Sequence, residues 1–169
     1  MNTQQGSEDF LQLILQNKGI LIKICSSFCK HKTDREDLAQ EIIYHLWKGN
    51  KSFNPDFTFS TWMYRVALNV AISSSRREKK LSSTIVYTEV HLEIEDAPSA
   101  SPAAEEHSRL LQQQLLELKE LDKALILLYF EEKSYKEIAE IIGISETNVA
   151  TKVSRIKERL KQRLLTNKK

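Results

Sequence analysis

Between Trp62 and Arg76 the chain sets an indole, a guanidinium, a carboxamide and a second guanidinium at successive separations of three, four and seven residues: Trp62, Arg65, Asn69 and Arg76. At about 100° per residue, Arg65, Asn69 and Arg76 fall within an arc of roughly 40° on one helix face, with Trp62 at its margin. The preceding loop adds Phe53, Asn54 and Phe57. No bond is made or broken by such a set. Aromatic faces stack on unpaired bases whatever their sequence, amides read a base edge, and guanidiniums hold phosphate, so the chemistry is capture of single-stranded or flipped nucleotides. Core packing is the competing use of Phe53, Phe57 and Phe59, and at least one or two of them must serve it.

A second constellation occupies residues 135–164, YKEIAEIIGISETNVATKVSRIKERLKQRL. Ile138 and Ile142 are expected to face inward on a short helix, and Ala139 is small where a second helix must cross. Gly143 permits a tight turn, Ile144 plugs the junction, and Ser145 caps a following helix with an inward stripe of Val149, Val153, Ile156 and Leu160. Each position answers a separate steric demand, which makes the helix-turn-helix reading specific. The second helix opens on the short polar residues Thr147, Asn148 and Thr151 and continues with Lys152, Arg155, Lys157 and Arg159. In such units the start of the recognition helix meets base edges and basic residues hold phosphates.

A third set is acidic. In DREDLAQE the carboxylates of Asp34, Asp37 and Glu41 are spaced three and four apart and share a face beside Gln40, a surface suited to a cationic partner. A solvated face is the plainer use of these residues. General acid–base work would need a pocket, which this stretch does not build.

The elements that must position these groups are helices. The chain of 169 residues has 4 glycines and 3 prolines, and Leu, Ile, Glu and Lys dominate, so an all-α fold is expected. Ile14, Leu21, Cys25 and Phe28 mark one amphipathic helix from Phe10 to Cys29. A second starts near Thr33 or Asp34 as cap and runs to Trp47, with Leu38, Ile42 and Leu46 inward and Gly49-Asn50 ending it. A third runs from about Thr58 to Arg76 or Arg77, with Phe59, Met63, Val66 and Val70 inward. Helical pattern resumes from Glu105 to Leu118 and from Leu121 to Phe130.

Charge divides the chain likewise: residues 1–80 hold 12 basic against 8 acidic side chains, residues 81–104 hold none against 4, and residues 105–169 hold 13 against 11. Two basic lobes therefore flank an acidic segment, LSSTIVYTEVHLEIEDAPSASPAA, which loses helical period and reads as an extended or flexible linker; the alternation from Thr84 to Val90 has no partner strand. The expected organisation is two small helical domains, 1–80 and 105–169, joined by the linker 81–104. The N-terminus lacks the pattern of an export signal and no stretch of eighteen apolar residues occurs, so a cytoplasmic location is expected. Cys25 and Cys29 read as buried thiols of a reducing compartment; with His31 they make only a loose C-x3-C-x-H lacking a fourth ligand, and no metal or cofactor is expected.

Three blocks in order, D34-R-E-D-L-A-Q-E-I-I-Y-H-L-W47, F57-T-F-S-T-W-M-Y-R-V-A-L-N69 with Arg76-Arg77, and S134-Y-K-E-I-A-E-I-I-G-I-S145, resemble the extracytoplasmic-function group of sigma-70 family factors over about residues 10–80 and 105–165. The resemblance implies a factor that binds core RNA polymerase and directs promoter recognition, DNA melting and initiation. It implies that the first lobe is region 2, docking on the clamp helices of the largest polymerase subunit through Asp34, Asp37, Gln40, Glu41 and Trp47. The loop at 49–57 with Trp62, Arg65 and Asn69 would capture the minus-ten element, with Arg76 and Arg77 on backbone. The second lobe would be region 4, reading the minus-thirty-five element and packing on the flap of the second-largest subunit. Glu89, Glu93, Glu95 and Asp96 of the linker would mimic nucleic acid in a basic channel, and an anti-sigma factor is an expected partner of an otherwise monomeric chain. Ala150, Asn148 and Leu121-Asp122 depart from residues frequent in the family, so promoter sequence does not carry over. The competing readings are a regulator whose first lobe senses or dimerises, and a protein-binding adaptor without DNA affinity; an enzyme lacks any nucleophile–base or metal constellation.

Overall fold

The structure, a computed structural model, describes residues 3–82 and 101–166, with the side chains of residues 3–7, 82 and 104 left aside. The linker carboxylates and the alternating stretch 84–90 lie outside the described residues. Among the described residues the chain is entirely helical: α1 (Thr3–Gln16), α2 (Lys18–Phe28), α3 (Lys32–Gly49), a 3-10 turn (Asn50–Ser52), α4 (Phe59–Ser82), α5 (Pro102–Leu116), α6 (Glu120–Phe130), α7 (Tyr135–Ile142) and α8 (Glu146–Thr166). Helices α4 and α5 therefore reach two or three residues into the segment read as linker.

Helices α2, α3 and α4 pack on one another, joined by α1, around Ile24, Ile42, Leu46, Met63 and Leu68. Each such side chain contributes about 1.5–3 kcal/mol on burial. The inward residues read from helical period are inward: Ile14, Leu21, Cys25 and Phe28, then Leu38, Ile42 and Leu46, are buried. The expectation of one helix from Phe10 to Cys29 is corrected by a break at Asn17. Its backbone leaves the helical region at φ −105°, ψ 16°, and its Nδ2, at 2.9 Å, shares the Leu13 carbonyl with its own backbone N–H at 3.2 Å. Thr33 and Asp34 do not cap α3; they lie in its first turn, behind the cap residue His31. Thr58 does cap α4, its Oγ1 accepting the Thr61 N–H at 3.3 Å.

Helix α6 is buried from Lys123 to Leu128, and a helix covered all round must be enclosed on every side. α7 and α8 cover one side, while α2 and α4 of the first half cover the other. The two halves thus share an interface that the sequence does not announce. At its centre the Glu131 carboxylate accepts Lys23 Nζ at 2.7 and 2.8 Å and the Tyr64 hydroxyl at 3.0 Å. Glu120 pairs with Lys79 and accepts Ser75 Oγ at 3.3 Å. Lys123, only 4% exposed, lies 4.9 Å from the Phe28 ring centre and donates to the Leu116 carbonyl at 3.4 Å. Burial, and then Lys79, pull its pKa down.

Candidate nucleic-acid interface

Along α4 the residues Met63, Ala67, Leu68, Val70 and Ala71 go to the core, and Arg65, Asn69 and Arg76 stand exposed on the opposite side. Phe59 and Val66, expected inward, are half-buried. The aromatic expectation divides. Phe57 is exposed, whereas Phe53, Phe59 and Trp62 are half-buried in one cluster, with ring centres 5.4 Å apart for Phe53–Trp62, 5.6 Å for Phe59–Trp62 and 5.9 Å for Phe53–Phe59. A Cβ on Gly49 would come within 3.3 Å of the Trp62 ring, so the end of α3 seats the indole. Asn54 is exposed but its Oδ1 accepts the Asp56 N–H at 3.0 Å, which shapes the loop and leaves its amide donors outward. Arg77 is not open to solvent contacts alone: its Nη2 donates to Glu41 Oε1 at 2.6 Å.

On α3 the residues Asp34, Asp37 and Gln40 are exposed or at the edge of exposure, and Glu41 is half-buried. Trp47 is 45% exposed, with its other edge on Phe10. Tyr44, missed in the sequence reading, is also exposed and falls between Asp37 and Gln40 around the helix, a position that its spacing of seven and four from them discloses. The face is therefore acidic with a ring at its middle.

The second half forms the helix-turn-helix. Ser134 and Glu137 build a capping box, missed in the sequence reading although S-x-x-E is its signature: Ser134 Oγ accepts the Glu137 N–H at 3.2 Å and Glu137 Oε2 accepts the Ser134 N–H at 2.8 Å. Those bonds hold the Glu137 carboxyl below its ordinary range. Ile138 is buried as expected, but Ile141 rather than Ile142 is its deeper partner, because α7 also leans on α4. Gly143 adopts φ 81°, ψ 37°, the left-handed cap that an L side chain rarely accepts. Ser145 Oγ accepts the Asn148 N–H at 3.2 Å, and Val149, Val153, Ile156 and Leu160 are buried.

Thr147, Asn148, Thr151 and Arg155 are exposed along the first turns of α8, with Lys152 at their edge. Two basic residues expected beside them have partners within their own half, and one of these turns away. Lys157 Nζ donates to the Tyr129 hydroxyl at 2.9 Å and sits 4.7 Å from that ring's centre; Arg159 is 3.5 Å from Asp122. At about 100° per residue Lys157 is some 140° from the middle of the exposed arc, so it braces α8 on α6.

Burial pushes the Cys25 thiol up to about 11 and the Cys29 thiol up to about 12. Among the described residues no cluster of His, Cys, Asp and Glu could hold a metal ion, and no helix is long and apolar enough to cross a membrane.

Comparison with known proteins agrees with this geometry. The model of Sigma-70 region 2 matches residues 13–81, and that of Sigma-70 region 4 matches residues 108–160. The chain is 34% identical over 137 residues to the RNA polymerase sigma factor YlaC of Bacillus subtilis, covering 79% of each. It is 28% identical over 172 residues to the ECF RNA polymerase sigma factor SigW of the same organism, covering 95% of this chain and 92% of that one. The fold resembles the sigma factor RpoE in complex with the anti-sigma factor NepR from Bartonella quintana, with a TM-score of 0.73 at 23% identity over 93% and 97% of the two chains. It also resembles CnrH in complex with the cytosolic domain of CnrY, with a TM-score of 0.68 at 21% identity over 95% and 90%.

Proposed function

The chain belongs to the extracytoplasmic-function group of the sigma-70 family, a promoter-recognition subunit for transcription initiation, and from that premise we propose how its surfaces divide the work. The outer face of α3, with Asp34, Asp37, Gln40, Glu41 and Trp47, docks on the clamp helices of core polymerase. Arg65 and Asn69 on α4, with Phe57, Asn54 and the outer edge of Trp62, capture unpaired bases of the minus-ten element, and Arg76 and Arg77 hold backbone. The start of α8 lies in the major groove at the minus-thirty-five element, where Thr147, Asn148 and Thr151 meet base edges while Lys152, Arg155 and Arg159 hold phosphates; Lys157 acts from behind by fixing α8 on its own domain. The second half also packs on the polymerase flap.

The observation that carries this reading is the exposed row of Arg65, Asn69 and Arg76 opposite a fully buried stripe: three polar groups of α4 face away from the core they are built on. Melting then needs no catalytic residue. Capture of unstacked bases offsets an unpairing cost of a few kcal/mol per base. The factor works in the cytoplasm, as a monomer when free, and an anti-sigma factor seated on it is its off-state partner, as the sigma factor RpoE of Bartonella quintana carries NepR.

The test is promoter-dependent transcription with purified core polymerase on a pool of random upstream sequences, with Asp37→Ala/Glu41→Ala as docking control and circular dichroism to monitor the fold. Selection of a two-part promoter by the wild type, lost in a folded double variant, is the expected result. If core polymerase gains no promoter selectivity from the chain, the division of labour is wrong.

A further inference from the structure

Five rings from three helices and one loop meet at the foot of the first half. Phe10 of α1, only 4% exposed, stands at their centre, edge-to-face with Trp47 at 5.8 Å, Phe59 at 5.8 Å and Trp62 at 6.2 Å. Phe53, Phe59 and Trp62 also touch one another, but Trp47 has no other ring contact with this group among the described residues. Trp47 belongs to the face assigned to polymerase docking; Trp62 and the loop carrying Phe53 belong to the face assigned to base capture. The ring of Phe10 is the bridge between them. It lies outside the segment that the region 2 model matches, 13–81.

We propose that Phe10 is the positioning residue through which polymerase docking at Trp47 sets the geometry of the base-capturing aromatics. The inference rests on the assignment of the two faces given above and adds their coupling. A half-exposed indole clamped by a partner loses rotamer freedom, and a close-packed cluster has few voids to absorb a shift, so the displacement passes to the rings it touches. Phe10 meets Trp47 and Trp62 by ring edges, contacts that depend on orientation. A leucine in its place fills most of the volume without those edges. α1 thus contributes to melting through the seat it gives these rings.

The experiment uses the full chain with core polymerase. Phe10→Leu is compared with the wild type for core affinity, for open-complex formation on duplex promoter, and for the environment of Trp62. The last is read in chains carrying Trp47→Phe, which keeps a ring against Phe10, with the remaining indole replaced by 5-hydroxytryptophan so that it can be excited apart from the tryptophans of polymerase. The expected result is core affinity within about twofold of wild type, open complexes reduced about tenfold, the worth of one ring-edge contact, and a Trp62 signal that responds to core binding when Phe10 is present but not in the Phe10→Leu chain. A Trp62 response that survives Phe10→Leu, or affinity and open complexes falling in parallel, overturns the coupling. If Trp62→Ala and Asn69→Ala leave open complexes intact, the assignment of the base-capturing face fails instead.

Discussion

Neutralising Glu120 and Glu131 together should loosen the two halves of the molecule. The Glu120 carboxyl falls from an ordinary 4.5 to about 2, first because Lys79 hydrogen-bonds it, against the opposing effect of burial, with its own backbone N–H, the Lys79 charge and Ser75 adding to the drop. A drop of that size corresponds to at most about 3 kcal/mol. The Glu120 side chain is 13% exposed but Lys79 is 65% exposed, so solvent screening reduces the pair to about 1 kcal/mol. Glu131 is 24% exposed and its partner Lys23 53%, which sets a similar worth of about 1 kcal/mol, since glutamine can still accept from Tyr64. Glu120→Gln/Glu131→Gln therefore lowers the closed-to-open ratio about 30-fold. Because the folded carboxyl of Glu120 titrates below its unfolded value, its contribution is complete above about pH 4.5 and disappears as pH falls toward 2. The opening is read by energy transfer between dyes on Lys51→Cys and Ser154→Cys, both exposed sites, the native thiols being buried, and by the radius of gyration in scattering. If the double variant keeps the wild-type distance and radius at low and high salt alike, the ion pairs do not hold the halves. The groove residues Ile22, Leu111, Leu115 and Leu127 would then carry the interface.

Ser134→Ala should lower the stability of the second half by about 1 kcal/mol, read in urea melts, since it removes the hydroxyl that accepts the Glu137 N–H and donates to the Glu137 carboxylate. Gly143→Ala should cost about 1 kcal/mol through its positive φ alone, for a Cβ there meets nothing within 4 Å; a much larger loss would point to a clash instead. Arg155→Ala should weaken binding of holoenzyme to minus-thirty-five duplex and reduce the slope of log K against log salt by about 1, while Lys157→Ala should leave that slope unchanged and lower the melting midpoint, because its ammonium serves Tyr129. Arg77→Ala should release Glu41 from a 2.6 Å pair and raise affinity for core polymerase up to about fivefold, the range of an exposed ion pair, while slowing open-complex formation; a loss of core affinity would refute the assignment of Glu41 to docking.

Helical period located the inward faces of α3 and α8 because each has a core on one side, and Leu38, Ile42 and Leu46 or Val149, Val153, Ile156 and Leu160 needed nothing more. The helix-turn-helix was legible to single residues, since Gly143 and Ser145 answer demands of backbone geometry set within a few positions. What sequence could not show is what covers a face. Tyr64 reads as a polar-tipped residue of α4 until Glu131 arrives from 67 positions away, and α6 reads as a plain apolar helix until the first half encloses it. The partners of basic residues were hidden for the same reason: Lys157 and Arg159 look equal to Arg155 in a composition count, but Lys157 donates to Tyr129 and Arg159 approaches Asp122. The break at Asn17 was missed because it leaves the apolar spacing on both sides intact. The three ordered blocks pointed to the family, yet not to Phe10, which does its work from outside them.

The shared interface also bears on how the free chain would meet a two-part promoter. A slack linker would weaken two-site binding by lowering the effective concentration of the second site. In the packed arrangement Arg65 and Asn69, like Thr147, Asn148 and Arg155, are exposed, so neither face proposed to meet DNA is masked; instead the spacing between them is fixed by contacts among α2, α4, α6 and α7. Each face alone offers only a few phosphate contacts, and the second site adds avidity only where its separation matches the DNA. Where the promoter elements are spaced otherwise than in the packed chain, separating the halves costs about 2 kcal/mol of interlobe ion pairing, and a chain whose closure is weakened loses less binding free energy to that step.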